Sequence, residues 1–118
     1  MTTGTDLVNQ AKTKIREISV DELAGRLGQV CIVDVREPEE FRAGHLPGAV
    51  NIPRGLLEFR IDGHPVLRDR DCCIVMQCQS GGRSALATAV MQELGYKDVA
   101  NLAGGFAAWK AAGQAVET

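Results

Sequence analysis

The chain has 118 residues, 45% of them hydrophobic, and a formal net charge of −2, which suits one domain with a core that needs no disulfide staples. Mild acidity without a basic stripe excludes nucleic acid as the main partner. No apolar run approaches a membrane span, and Met1 to Lys14 lacks the apolar centre of a signal peptide, so a soluble cytoplasmic protein with no membrane partner is the expectation.

Residues 1–14 read as an N-terminal arm, where a weak helical pattern through Leu7, Val8 and Ala11 leaves a frayed helix or an ordered arm open and a tail is the safer expectation. The domain proper is expected over residues 15–118. Ile15 to Ile18 reads as a short strand. Ser19 and Glu22 have the spacing of a capping box for a helix over Val20 to Leu27, which Gly28 ends. Val30 to Val35 is a near-continuous apolar run, suited to a central strand buried on both faces. Pro38 suits the first turn of a helix over Glu37 to Ala43. After a turn at His45 to Ala49, Val50 to Ile52 reads as a strand, Leu56 to Arg60 as a helical turn and Asp62 to Pro65 as a loop. Cys72 to Met76 is the next strand, followed by a glycine loop and a helix over Ser84 to Leu94. Val99 to Leu102, a turn at Gly104-Gly105 and a helix over Phe106 to Ala112 complete the pattern. Strands alternating with helices imply an α/β layer with a mainly parallel sheet.

The chemistry concentrates in Cys78-Gln79-Ser80-Gly81-Gly82-Arg83-Ser84. A buried strand, a tight glycine loop and a helix start follow one another, with a cysteine at the loop entrance. Gly81 and Gly82 let the loop curl so that successive N–H groups point inward. The helix start adds unpaired N–H groups and its positive dipole end, and Arg83 adds a permanent charge with a planar fork of donors. Such surroundings stabilise an anion. The nearest ionisable group is the Cys78 thiol, whose pKa they should depress.

The other candidates are weaker. A helix start is electrostatically poor for a cation, so Arg83 reads as an anion binder. Ser84 either orients the Cys78 thiolate or caps the helix. Asp34, near the strand end where open α/β sheets bind ligands, either pairs with Arg83 or Arg36 to support the loop or is an exposed strand end. For His45 a structural hydrogen bond is expected rather than a role as base, because the loop activates cysteine unaided. Trp109 and Phe106 read as core, and His64 carries no role. Cys31, Cys72 and Cys73 lie in apolar runs and read as small hydrophobes. No C-x-x-C pair or histidine at ligand spacing occurs, so neither a metal nor another cofactor is expected.

With these residues placed, the sequence resembles the rhodanese-like family of sulfurtransferases, in its single-domain form. Ile32 to Pro53 (IVDVREPEEFRAGHLPGAVNIP) carries one signature and Leu102 to Val116 (LAGGFAAWKAAGQAV) another. Between them CQSGGRS matches a cysteine followed five positions later by arginine. The resemblance implies a five-stranded parallel sheet flanked by helices on both faces. It also implies that Cys78 and Arg83 are catalytic, that Gln79, Ser80, Gly81, Gly82 and Ser84 bind substrate, and that Asp34 and Arg36 support them. The implied reaction takes a sulfane sulfur from thiosulfate or a low-molecular-weight persulfide, holds it as a Cys78 persulfide, and passes it to a thiol, to cyanide or to a sulfur-accepting protein. Two other classes compete: a sulfur-carrier or binding module serving a partner protein, and a phosphatase or arsenate reductase of the related fold. The latter pattern has one more residue between cysteine and arginine. Four intervene here, Gln79 to Gly82, giving a loop sized for sulfur.

Overall fold

The computed structural model describes all residues from Met1 to Thr118. Five parallel strands form one sheet: β1 (Arg16–Ile18), β2 (Cys31–Asp34), β3 (Val50–Asn51), β4 (Ile74–Gln77) and β5 (Val99–Leu102), in the spatial order β1-β5-β4-β2-β3. The sheet is parallel throughout, since every strand pairing runs in the same direction. The chain steps from β2 outward to β3, then returns to the other side of β2 for β4. The crevice between the carboxyl ends of β2 and β4 is therefore a topological switch point, the place where sheets of this kind bind ligands.

Alternation along the strands divides the core. Val33, Ile74, Met76 and Val99 face one layer, completed by Leu57, Ala87 and Met91. Ile32, Val75, Ala100 and Leu102 face the other, completed by Leu23, Phe106 and Trp109. Both faces are buried, which is why the central strands read as continuous apolar runs. The helices are α1 (Gly4–Lys12), α2 (Val20–Ala24), α3 (Pro38–Ala43), α4 (Leu57–Arg60), α5 (Gly82–Glu93) and α6 (Gly105–Ala111). Short 3-10 turns at Arg54–Leu56 and Ile61–Gly63 flank α4.

The capping box expected before α2 forms: Glu22 N donates to Ser19 Oγ at 3.1 Å, and Ser19 N to Glu22 Oε1 at 3.2 Å. That helix stops at Ala24 rather than Leu27, and hydrogen-bonded turns carry the chain to Gly28, whose φ of +84° reverses it. The strand expected from Cys72 starts two residues later, because Cys72 closes a turn by donating its N–H to the Asp69 carbonyl at 3.1 Å. The larger correction is at the N-terminus. Where a tail was the expectation, α1 has a full capping box at Thr3 and Asp6 and lies along α5, with Ala11 buried.

Candidate active site

β4 is buried at every position and delivers Cys78 directly into the switch-point crevice, where the residue is 1% exposed. The chain then turns through Gln79, Ser80 and Gly81 into α5. Gly81 makes the turn with φ of +106°, in the left-handed region that a side chain disfavours. As a result Gly81 N donates to Cys78 Sγ at 3.1 Å, and the Ser84 hydroxyl lies 3.3 Å from the same sulfur. Burial alone would push the Cys78 thiol up. The Ser84 hydroxyl and the amides of Ser84, Gly81 and Ser80 outweigh it, and the thiol falls below its ordinary value of 9.0. Of the two roles open to Ser84, this geometry favours orienting the sulfur. The helix start carries no side-chain cap.

The loop is held from three sides. From α6, Phe106 N donates to the Cys78 carbonyl at 2.8 Å and Ala107 N to the Gln79 carbonyl at 2.9 Å. That approach requires glycine: a Cβ on Gly105 would collide with the Cys78 carbonyl oxygen and lie 2.8 Å from the Gln79 carbonyl carbon. Gly104 is equally confined, with a Cβ there 2.6 Å from that of Ala108. From β5, Asn101 Nδ2 donates to the Gly81 carbonyl at 3.2 Å. From α1, Val8 stands over Gly82 at the start of α5.

Of the partners open to Asp34, the structure brings it Arg36. The two form a buried ion pair at 2.8 Å, with further bonds from Arg36 N and Nε. Arg36 also donates to the Gly44 carbonyl at 2.7 Å and to Gln79 Oε1 at 3.4 Å, and its guanidinium lies 4.4 Å from the Phe106 ring centre. Asp34 thereby reaches the loop through Arg36. One guanidinium ties together β2, α3, α6 and the cysteine loop.

Arg83 stands on the rim with its fork in the Glu40 carboxylate, at 2.8 and 3.1 Å. Its charge is raised above its ordinary pKa chiefly by Glu40, with the Cys78 sulfur a lesser cause. In return the Arg83 hydrogen bond, against some opposing burial, lowers the Glu40 carboxyl to about 2. Glu40 is absent from the residues predicted for the site. Its sequence signal is that of a third helical residue completing a capping box with Glu37, which it also does, accepting from Glu37 N at 3.0 Å. Beside the loop a pocket of about 310 Å³ is bordered by Arg36, Glu40, Gln79, Phe106 and Lys110.

Other candidates lie away from the sulfur. His45 stacks on Phe41, ring centres 3.8 Å apart, and its Nδ1 bonds the Phe41 carbonyl at 2.8 Å, the structural role expected of it. His64, expected to carry no role, accepts from the amides of Val66 and Leu67 through Nδ1 and so caps a turn. The remaining three cysteines gather at the opposite end of the sheet. They are half-buried with sulfur or polar partners rather than simple hydrophobes. No group of three histidine, cysteine or acidic side chains is placed to hold a metal ion, and no helix is long and apolar enough to cross a membrane.

A loop that opens with a buried cysteine, at the switch point of a five-stranded parallel sheet, defines the class. The family model for the rhodanese-like domain matches residues 19–112, and the chain belongs to the rhodanese-like family. It is 39% identical over 98 residues to a sulfurtransferase of Allochromatium vinosum, covering 80% of this chain and 88% of that one. It is 35% identical over 104 residues to the thiosulfate:glutathione sulfurtransferase of Homo sapiens, covering 78% of this chain and 90% of that one. Among solved structures, a Rhodopseudomonas palustris protein of unknown function, described as a possible tyrosine phosphatase, superposes with a TM-score of 0.90 at 34% identity, covering 99% of this chain and 96% of that one.

Proposed function

We propose that this protein is a sulfurtransferase in which Cys78 carries the sulfur as a persulfide. The observation that carries the reading is the environment of one atom: Cys78 Sγ is buried, yet receives the Gly81 amide and faces the Ser84 hydroxyl, and its pKa is lowered. The Cys78 thiolate attacks the outer sulfur of the donor. With thiosulfate, the S–S bond breaks and sulfite leaves with the electron pair. With a low-molecular-weight persulfide, a thiolate leaves instead. The acceptor, a thiolate or cyanide, then attacks the terminal sulfur of the Cys78 persulfide and returns Cys78 to the thiolate. The amides of the loop satisfy the anionic sulfur in each state without reorganising.

The human relative's name pairs thiosulfate with glutathione, and the pocket beside Gln79, with Lys110 and Arg36 on its border, offers an anionic thiol acceptor a place to dock. A sulfur-accepting protein is the alternative acceptor. No cofactor takes part in this scheme, and the cytoplasm supplies both donors and acceptors.

The phosphatase reading finds some support in the Rhodopseudomonas palustris structure. Loop size weighs against it, because four residues between Cys78 and Arg83 leave a ring sized for one sulfur rather than for the oxygens of a phosphoryl group. The deciding experiment is intact mass spectrometry after incubation with thiosulfate or with glutathione persulfide, alongside an aryl phosphate assay. An adduct one sulfur heavier, absent from Cys78→Ser, is expected. Robust phosphate hydrolysis with no persulfide from either donor would overturn the proposal.

A further inference from the structure

At the end of the sheet away from Cys78, two thiols face each other across the central strands. Cys31 opens β2 and Cys72 closes the turn leading into β4, and their sulfurs are 3.5 Å apart. The backbone on both sides is fixed. Cys31 N donates to the Cys73 carbonyl at 2.9 Å, and Cys72 N to the Asp69 carbonyl at 3.1 Å. Next to that turn, Arg70 donates to the Leu94 carbonyl at 2.9 Å and to Asp62 at 2.7 Å. Cys73 is not the alternative partner, because its sulfur is engaged elsewhere, with Arg26 Nη2 at 3.2 Å and Asp98 beside it. Both members of the pair are only half-buried, so a small reagent can reach them.

We infer that Cys31 and Cys72 form a second thiol site, a dithiol that low-molecular-weight disulfides oxidise reversibly to an intramolecular disulfide. The bond to be formed, of about 2.05 Å, starts from sulfurs already 3.5 Å apart, with Cys31 held by the β2–β4 pairing and Cys72 by its turn. Either sulfur of the pair opens the reaction. As the thiolate it displaces one thiolate from the disulfide RSSR, giving a mixed disulfide on the protein, and its own proton goes to that departing RS⁻. The second cysteine then gives up its proton and attacks the protein sulfur of the mixed disulfide, and that proton goes to the second departing RS⁻. Burial, with the Cys31 sulfur as the next cause, pushes the Cys72 thiol up to about 11, so the crosslink should form faster as pH rises. Two protein thiols are oxidised, RSSR is reduced to two RSH, and the proton of each protein thiol ends on a product thiol. The site responds to the thiol–disulfide balance of its surroundings while the catalytic loop stays outside the reaction.

The test equilibrates Cys78→Ser protein with glutathione buffers of increasing oxidised fraction, quenches with acid, and reads mass and peptide linkage. The expected product is about 2 Da lighter than the reduced protein, with a peptide joining Cys31 to Cys72, a raised melting temperature, and full reversal by dithiothreitol. Cys31→Ser and Cys72→Ser should each abolish the mass loss, and Cys73→Ser should keep it. On a background with Cys78 intact, Cys31→Ser should leave sulfur transfer unchanged. A product joined through Cys73, a lasting glutathione adduct in place of the crosslink, or no change across the buffer series would each overturn the inference.

Discussion

Glu40 holds Arg83 by both oxygens, at 2.8 and 3.1 Å, so the cation at the mouth of the cysteine loop is already neutralised by a residue from α3. A donor anion must share Arg83 with Glu40 or displace it. Glu40→Gln should therefore lower KM for thiosulfate by about two- to five-fold, the range for releasing a half-exposed ion pair. The KM for an alkyl persulfide, which carries less charge, should change little. Equal changes for both donors would show that Arg83 does not bind donor charge.

The same pair makes stability depend on acid. Glu40 has an ordinary pKa of 4.5 and is held at about 2 in the folded protein. The fold prefers the charged carboxylate, so the contribution is complete above about pH 4.5 and disappears as pH falls toward 2. The melting-temperature gap between wild type and Glu40→Gln should narrow across that window, and a constant gap would remove the linkage.

Asp34 and Arg36 are both almost wholly buried. Asp34→Ala leaves a guanidinium buried without its counter-charge, and the expected loss is about 3–5 kcal/mol by urea denaturation. Arg36→Met, which removes the charge and keeps the bulk, leaves the Asp34 carboxylate buried without its partner and should cost a comparable amount. The double variant strands neither charge and should recover part of the loss, whereas additive losses would show that the two side chains do not stabilise each other.

For the nucleophile, the pH profile of iodoacetamide alkylation gives a direct reading. The wild-type midpoint should lie below 9.0, the ordinary value of the thiol. Ser84→Ala removes one hydrogen bond to the sulfur and should raise that midpoint toward the ordinary value. An unshifted Ser84→Ala profile would reduce that hydroxyl to packing.

Gly105→Ala tests the clamp from α6. The new methyl meets the Cys78 carbonyl at a φ of +59°, so a destabilisation of about 1–3 kcal/mol is expected. Sulfur transfer should fall further than stability does, because the displaced atoms carry the nucleophile. Activity that follows the folded fraction alone would assign Gly105 a packing role only.

The parts of this architecture that were readable in advance are those whose causes are local. β2 lies at Cys31–Asp34 inside the apolar run Val30 to Val35, and Ser19 and Glu22 announce the start of α2. The cysteine loop was visible because strand, glycines and helix are contiguous. What escaped depends on distant neighbours. Residues 4–12 have too weak a pattern to stand alone and become a helix by lying on α5. The Glu40–Arg83 pair spans 43 positions, and Glu40 was hidden behind a local role as part of a cap. Gly104 turns the chain as its sequence suggests, but Gly105 also lets the α6 backbone reach the Cys78 carbonyl, which no local pattern reveals.

That last contact has a consequence for the order in which the cysteine loop is anchored during synthesis. Phe106 and Ala107 donate to the Cys78 and Gln79 carbonyls from a helix that lies later in the chain. A ribosome that has just released Cys78 has exposed a thiol whose clamp is still inside the exit tunnel. The cysteine loop therefore leaves the ribosome unanchored on that side, and its two carbonyls find their donors only when α6 has emerged and docked.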